Sequence, residues 1–378
     1  MQESDIKEIK KLSGQIASER FAPLASEIDR NHTFPWKNIR TLGEADLLGL
    51  VISGDEGGLG LGRAGFTAVV SEIAKACAST ALIYISHSIV AKAIEFAGSL
   101  AVKNKWLPEM LKGQSIGAFA VHEPDSGSNS AFITTHARKE GDTYIVNGSK
   151  FFITSAGEAN IYLVLVRTES GKGPQGMTTL LVEKNTPGLS FGRPEDKMGL
   201  KGTSSRELFF NNCQIPVVNI IGKEGEGIQI IGKTVMGWGL FGAAAISVGI
   251  AKAATELAIK HVKTRIIAGQ PIAVHPAVQF HIADMIVKTE AAESFLKNCV
   301  NNADSDPGTA VINGFKTKLF TSETAVDVTN LAIQAMGGHG YCSDYIVERL
   351  FRDARGLTLH FKTSEWLRQD IAKIITEI

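Results

Sequence analysis

The hydrophobic period of this 378-residue chain changes twice. A chain that alternates between helical and strand periodicity in long blocks has to fold as helical and sheet units packed side by side. Up to about Gly117 the apolar residues recur at helical spacing: Ile9, Leu12, Ile16, Phe21, Leu24 and Ile28 mark one helix from Ser4 to Ile28. Further helices are predicted over 39–48, 64–78, 81–96 and 101–111. Beyond Gly117 short β-branched and aromatic runs stand between turn residues, which predicts strands at 143–146, 161–166, 178–183 and 208–210. From Gly227 the helical period returns over 243–264, 276–302, 309–335 and 363–375. The expected architecture is α+β, with an N-terminal helical domain over 1–117, a middle β domain over 118–224 and a C-terminal helical domain over 225–378.

Charge and composition narrow the partners. Lys plus Arg and Asp plus Glu both number 39, so no long-range field is offered to a polyanion, and nucleic acid is not an expected partner. Cys77, Cys213, Cys299 and Cys342 lie far apart, show no CxxC spacing and read as reduced thiols of a cytoplasmic protein. The charged start MQESDIKEIKKLSG has neither the apolar stretch of a signal peptide nor the acid-poor character of a transit peptide. The uncharged run from Thr234 to Ala251 approaches the length of a membrane span, but Gly237, Gly239, Gly242 and Gly249 interrupt it, and a buried bundle helix is expected instead. No HExxH and no Gly-x-Ser-x-Gly occurs, so neither a metal site nor a serine hydrolase is predicted. The glycine-rich segment 57–62 follows a helical pattern and not a strand, which makes it an interhelical loop.

Two segments carry more. The first is Ala120-Val121-His122-Glu123-Pro124-Asp125-Ser126-Gly127-Ser128-Asn129, followed by Lys150-Phe151-Phe152-Ile153-Thr154-Ser155-Ala156-Gly157. It offers hydroxyls and backbone amides in tight turns beside an aromatic residue, which suits a cofactor with phosphates and a flat ring. The second is Gln334-Ala335-Met336-Gly337-Gly338-His339-Gly340-Tyr341, running on to Val347-Glu348-Arg349-Leu350-Phe351-Arg352-Asp353-Ala354-Arg355, where paired glycines allow close backbone approach.

In order and separation these segments resemble the two signature regions of the acyl-CoA dehydrogenases, and Lys197 to Ser204 and Ile282 to Met285 fit the same pattern. The resemblance covers nearly the whole chain. It implies an N-terminal helical domain, a middle β-sheet domain and a C-terminal four-helix bundle holding FAD. It places Phe119, His122, Phe152 and Thr154 at the flavin, Ser128 at the pyrophosphate, and Thr363 and Glu365 facing the cofactor. Arg265, Gln334, Gly337 and Gly338 would reach the FAD of a neighbouring subunit, implying a homodimer or homotetramer. The implied substrate is an acyl thioester on CoA or an acyl carrier protein, oxidised or reduced at a carbon–carbon bond, with an electron-transfer flavoprotein or oxygen as electron acceptor.

The departures from the pattern are chemical. The family's mechanism uses a carboxylate to remove the proton alpha to the thioester; the matching position is Phe361, and the alternative position on the central helix is Gly239. Gly237 and Leu240 replace an aspartate and an arginine that seat the carrier arm. His122 replaces a hydroxyl residue, Asn129 an aspartate, Ile267 and Ala268 a polar and an aromatic residue, and Glu365 a glutamine. His360, next to the vacant position, is the expected substitute base, with Glu95 behind it. Two other functions fit the fold: a flavin monooxygenase or oxidase, which needs no alpha-proton base, and a non-catalytic flavin-binding relative.

Overall fold

The computed structural model describes residues 3–127, 132–168 and 173–377. The first block is helical: α1 (Glu3–Ile16), α2 (Ala22–Asn31), α3 (Trp36–Glu44), α4 (Arg63–Ala76), α5 (Ala78–Ala97) and α6 (Leu100–Leu111). The single helix expected from Ser4 to Ile28 is broken by a π turn, Ala17–Phe21, whose wider winding turns both Ala17 and Phe21 into the core. The glycine-rich segment is an interhelical loop leading into α4.

The middle block is a sheet of β1 (Gly117–Ala120), β2 (His136–Glu140), β3 (Thr143–Ile153), β4 (Ile161–Thr168), β5 (Met177–Glu183), β6 (Leu189–Phe191), β7 (Arg206–Pro216) and β8 (Ile220–Ile221). Their order is β6-β7-β3-β2-β4-β5-β8, with β1 also pairing in parallel on β4. In β4 and β5 almost every residue is buried, so this part of the sheet is covered on both faces, whereas β2 alternates toward solvent. Where β3 meets β7 the register slips between Lys150 and Ile153. That bulge takes Phe151 and Phe152 out of the ladder and re-aims them.

The last block begins with α7 (Gly227–Ile231), continues through a π-helical stretch, Gly232–Gly239, and runs on as α8 (Leu240–Thr264). A short ribbon, β9 (Ile266–Ile267) with β10 (Gln270–Pro271), leads to α9 (Pro276–Ser305), α10 (Ala310–Met336), α11 (Gly338–Tyr341), α12 (Ile346–Leu357) and α13 (Ser364–Thr376). α8 is rich in alanine and lies at the centre, packed on α4, α9 and α10. A Cβ on Gly249 would meet the Ser71 carbonyl at 2.4 Å, so glycine is what lets α8 and α4 approach so closely. Among the described residues two helical stretches pass for membrane spans by length and hydropathy, Ala78–Ala97 and Gly227–Thr264, and their apolar windows are 78% and 89% buried inside the protein; the second contains the run from Thr234 to Ala251. Both are core helices.

Candidate functional site

The site is built at the bulge in β3. Phe152 and Ser155 both have positive φ, 52° and 64°, without being glycine, a conformation that persists only where surrounding contacts impose it. Those contacts are visible. The Ser155 amide donates to the Thr203 carbonyl (2.9 Å), and the Phe151 amide, freed from the ladder, donates to the His122 carbonyl (2.9 Å). The two halves of the first signature segment therefore lie side by side.

A buried ion pair fastens them. Lys150, fully buried on β3, donates to Glu123 Oε1 (2.8 Å) and to the Val121 carbonyl (3.1 Å). Glu123 also accepts from the amides of Thr134 (2.6 Å) and Thr135 (3.0 Å) and from the Thr134 hydroxyl (2.9 Å). Burial alone would raise the Glu123 pKa, but the Lys150 ammonium and these donors outweigh it and hold the carboxyl down at about 2. Because the unfolded chain takes up this proton at about pH 4.3, the pair's stabilisation is complete above that pH and disappears as pH falls through the folded value. Urea unfolding of the parent is expected to show a stability loss between pH 5 and pH 2.5 that Glu123→Gln lacks; equal pH slopes in the two proteins would refute the pairing.

Against this frame the Phe152 ring stands 55% exposed, while Thr154 is buried beside it and the Ser155 hydroxyl is buried with no hydrogen-bond partner among the described residues. A bare aromatic face, a strained turn and an unpaired buried hydroxyl fit a flat, hydrogen-bonding ring such as a flavin. Ser128 and Asn129 lie outside the described residues.

The loop between α12 and α13 packs on β1 through Phe361 and Phe119. Lys318 on α10, completely buried, donates to the carbonyls of Lys362 (2.6 Å) and Thr358 (3.2 Å), pinning both ends of the turn that carries Phe361. Burial holds the Lys318 ammonium down to about 7, with Glu323 and Glu365 opposing from a distance. Phe361 has φ 63°, is 6% exposed and stacks on Phe119 with centroids 5.6 Å apart and planes 19° from parallel. A Cβ on Gly239 would stand 2.6 Å from Phe361 Cε1 and 2.8 Å from Ile89 Cδ1. The phenyl ring thus fills the volume into which a side chain at 239 would project, so the two positions where a carboxylate was expected are packed against each other.

The other expected residues are placed as follows. His360 Nδ1 lies 2.8 Å from the Gly356 carbonyl. Burial, with Lys197, Lys318 and His122 nearby, holds the His360 pKa down to about 4. Glu95 accepts from the Ser53 amide (2.7 Å) and is paired with Lys92. Thr363 caps α13, its hydroxyl accepting from the Trp366 amide at 3.5 Å, and Glu365 is exposed in the first turn. Arg265, Gln334, Gly337 and Gly338 are exposed and share one patch, joined by His261 and His339, whose rings are 5.3 Å apart. That patch is at the far end of α8 from Gly239, and 25 helical residues separate them by about 37 Å, longer than one FAD spans. The roles of Lys150 and Lys318 left no signal in the sequence.

Family profiles match the chain in three stretches: "Acyl-CoA dehydrogenase, N-terminal domain" over 3–114, "middle domain" over 118–213 and "C-terminal domain" over 225–376. An acryloyl-CoA reductase (NADH) of Anaerotignum propionicum is 39% identical over 97% of this chain and 93% of its own length. Butyryl-CoA dehydrogenase from Megasphaera elsdenii superimposes with TM-score 0.94 at 31% identity, covering 100% of this chain and 99% of its own. A chain from a structural study of the electron transferring flavoprotein of Acidaminococcus fermentans gives TM-score 0.95 at 34% identity, covering 99% and 98%.

Proposed function

The chain belongs to the acyl-CoA dehydrogenase family and is an oxidoreductase acting on a carbon–carbon bond of an acyl thioester; from this we propose that it binds FAD in the cleft between Phe152 and Phe361 and works without a carboxylate at position 361 or 239. Members of the family use FAD, and when bound it supplies the acceptor or donor of hydride. The observation that supports this is the Phe361–Gly239 contact, which packs hydrocarbon at both positions where the family carries its carboxylate.

Phe119, His122, Phe152 and Thr154 would hold the flavin from the sheet side, with Thr363 and Glu365 from the start of α13 and Ser128 at the pyrophosphate. Arg265, Gln334, Gly337 and Gly338 would serve a neighbour's FAD, which makes the unit a homodimer or homotetramer. Their distance from Gly239 along α8 supports this, as do the exposed apolar residues Ile266, Ile267, Phe280, Val287 and Tyr341 of the C-terminal block. The division at 117/118 and 224/225 belongs to the same reading, supported by the change from helix to strand after Leu111 and back after Ile221. So do a cytoplasmic setting, supported by free cysteines at 77, 213, 299 and 342, and an electron-transferring flavoprotein as acceptor, supported by the structural neighbour.

His360 is the titratable group that immediately precedes Phe361 in the chain. With Nδ1–H given to Gly356, its lone pair is on Nε2, and its lowered pKa makes it a neutral, weak base at pH 7. The substrate that suits it carries an alpha C–H acidified by a second activating group such as an adjacent π system. Anaerobic addition of saturated and such activated thioesters to the yellow holoprotein is expected to bleach the flavin with the activated ones first. Flavin absorbance unmoved by every thioester would end the catalytic reading, and protein that neither carries nor takes up FAD would end the cofactor assignment.

A further inference from the structure

The turn between α12 and α13 is closed against opposition from two sources. Phe361 has φ 63° without being glycine, a backbone setting that persists only where contacts impose it. Beneath the turn lies the Lys318 ammonium, completely buried, whose acceptors among the described residues are two neutral carbonyls, those of Thr358 and Lys362. Of the charged groups that face it, Glu323 on α10 is engaged with Arg368, Glu365 on α13 is exposed, and His360 in the turn is neutral at pH 7. Backbone strain and a buried charge without a counter-ion both favour opening.

Several contacts hold it shut. Phe361 stacks on Phe119 and covers Gly239, Lys362 is paired with Asp370, the amides of Leu359 and His360 donate to the Gly356 carbonyl (3.0 and 3.1 Å), and the Ser364 amide donates to the Thr358 carbonyl (3.1 Å). Both carbonyls that satisfy Lys318 belong to the turn. The turn cannot lift without taking them along, and an ammonium left with no acceptor must then be reached by water. Because the turn carries Phe361, the same movement takes the ring out of the volume beside Gly239 that Ile89 also borders.

We propose that the turn 358–362 is a lid latched on Lys318, whose opening hydrates the lysine, takes up a proton above neutral pH and uncovers the volume beside Gly239. When the lid is closed, burial holds Lys318 down to about 7; when it is open and solvated, the side chain returns to about 10.4. Below pH 7 the lysine is charged in both arrangements, and opening does not depend on it. Between about pH 7 and 10.4 the closed form is neutral and the open form charged, so the opening constant falls about tenfold per pH unit. The neutral amine keeps two N–H groups for the two carbonyls, so the closed lid loses no partner. The lid is therefore looser at neutral pH and tighter in alkali. His360, held down to about 4 when closed, follows the same rule only below about pH 6.5. The lid is a property of the polypeptide and stands whether or not FAD occupies the cleft.

The test is amide hydrogen–deuterium exchange of the protein as purified, followed by mass from about pH 7 to 9, the window set by the two lysine values, at a temperature where the isotope envelope moves as one and reclosing outpaces exchange. A peptide covering 358–364 reports the turn, and one from β4 serves as reference. Exchange from an opening that ignores pH climbs in proportion to hydroxide. The reference is expected to climb in that way, whereas the turn should stay nearly flat, because the falling opening constant cancels the rising hydroxide. In Lys318→Met the turn should climb with the reference. A parent turn that climbs with hydroxide overturns the lid, and that result needs no variant. A flat turn that survives in Lys318→Met assigns the proton elsewhere, to a group such as Lys197, held down to about 8 by burial, and overturns the role of Lys318. Flavin absorbance of the same sample reports the FAD reading separately.

Discussion

Lys150→Met is expected to lower the unfolding free energy by about 3–5 kcal/mol, the cost of leaving a buried charge without its partner. The ammonium it removes is completely buried and bonds to Glu123 and to the Val121 carbonyl, so the carboxylate left behind stays surrounded by protein with only the Thr134 and Thr135 donors. The same change should release the His122 segment from β3, and the protein should lose flavin on gel filtration. Adding Glu123→Gln to Lys150→Met removes the orphaned charge and is expected to recover a large part of the loss, which a double-mutant cycle in urea reads directly. A single variant within about 0.5 kcal/mol of the parent, inside the range of ordinary surface changes, would show that the pair does not hold the site together.

The second large effect is expected at the packed pair of vacated positions. Gly239→Glu should destabilise the parent by more than the about 1–3 kcal/mol of a typical overpacked core, because its Cβ alone meets Phe361 Cε1 at 2.6 Å and Ile89 Cδ1 at 2.8 Å and a carboxylate follows. Phe361→Ala costs about 3–5 kcal/mol by itself through the cavity it opens. Combined, the two changes should be less damaging than their sum, since the carboxylate enters the space the ring has left. The double variant is also expected to gain a chemical property the parent lacks: exchange of the alpha proton of a bound acyl thioester with deuterated solvent, followed by mass. Additive stabilities together with no exchange would mean that the ring and the glycine do not share one volume.

Much of this molecule was legible from one-dimensional pattern, and the reason is the range of the forces involved. Helix and strand periodicity reflect which face of a local element is buried, so the helix–sheet–helix order follows from positions such as Ile9, Leu12 and Ile16 or the run from Ile161 to Val166. The short strands β1, β2 and β6 ran over too few residues to register, as did the amphipathic α12, whose Arg349 and Asp353 are buried by partners distant in sequence. The two signature segments were recognisable because tight turns need particular residues at fixed spacing. The loss of a carboxylate at 361 and 239 was equally a matter of reading letters.

What the letters did not contain was that these two positions share one volume. That Phe361 lies on Gly239 depends on α8 meeting a loop more than a hundred residues later in the chain, and on Lys318 pinning that loop through backbone carbonyls that have no side-chain identity to detect. Nothing in the letters distinguishes Lys150 and Lys318 from other lysines; folding removes water from both and ties them to Glu123 and to backbone carbonyls. Sequence determined which elements form and which groups are present; desolvation and contact between distant segments, which exist only in the folded chain, decided what those groups can do.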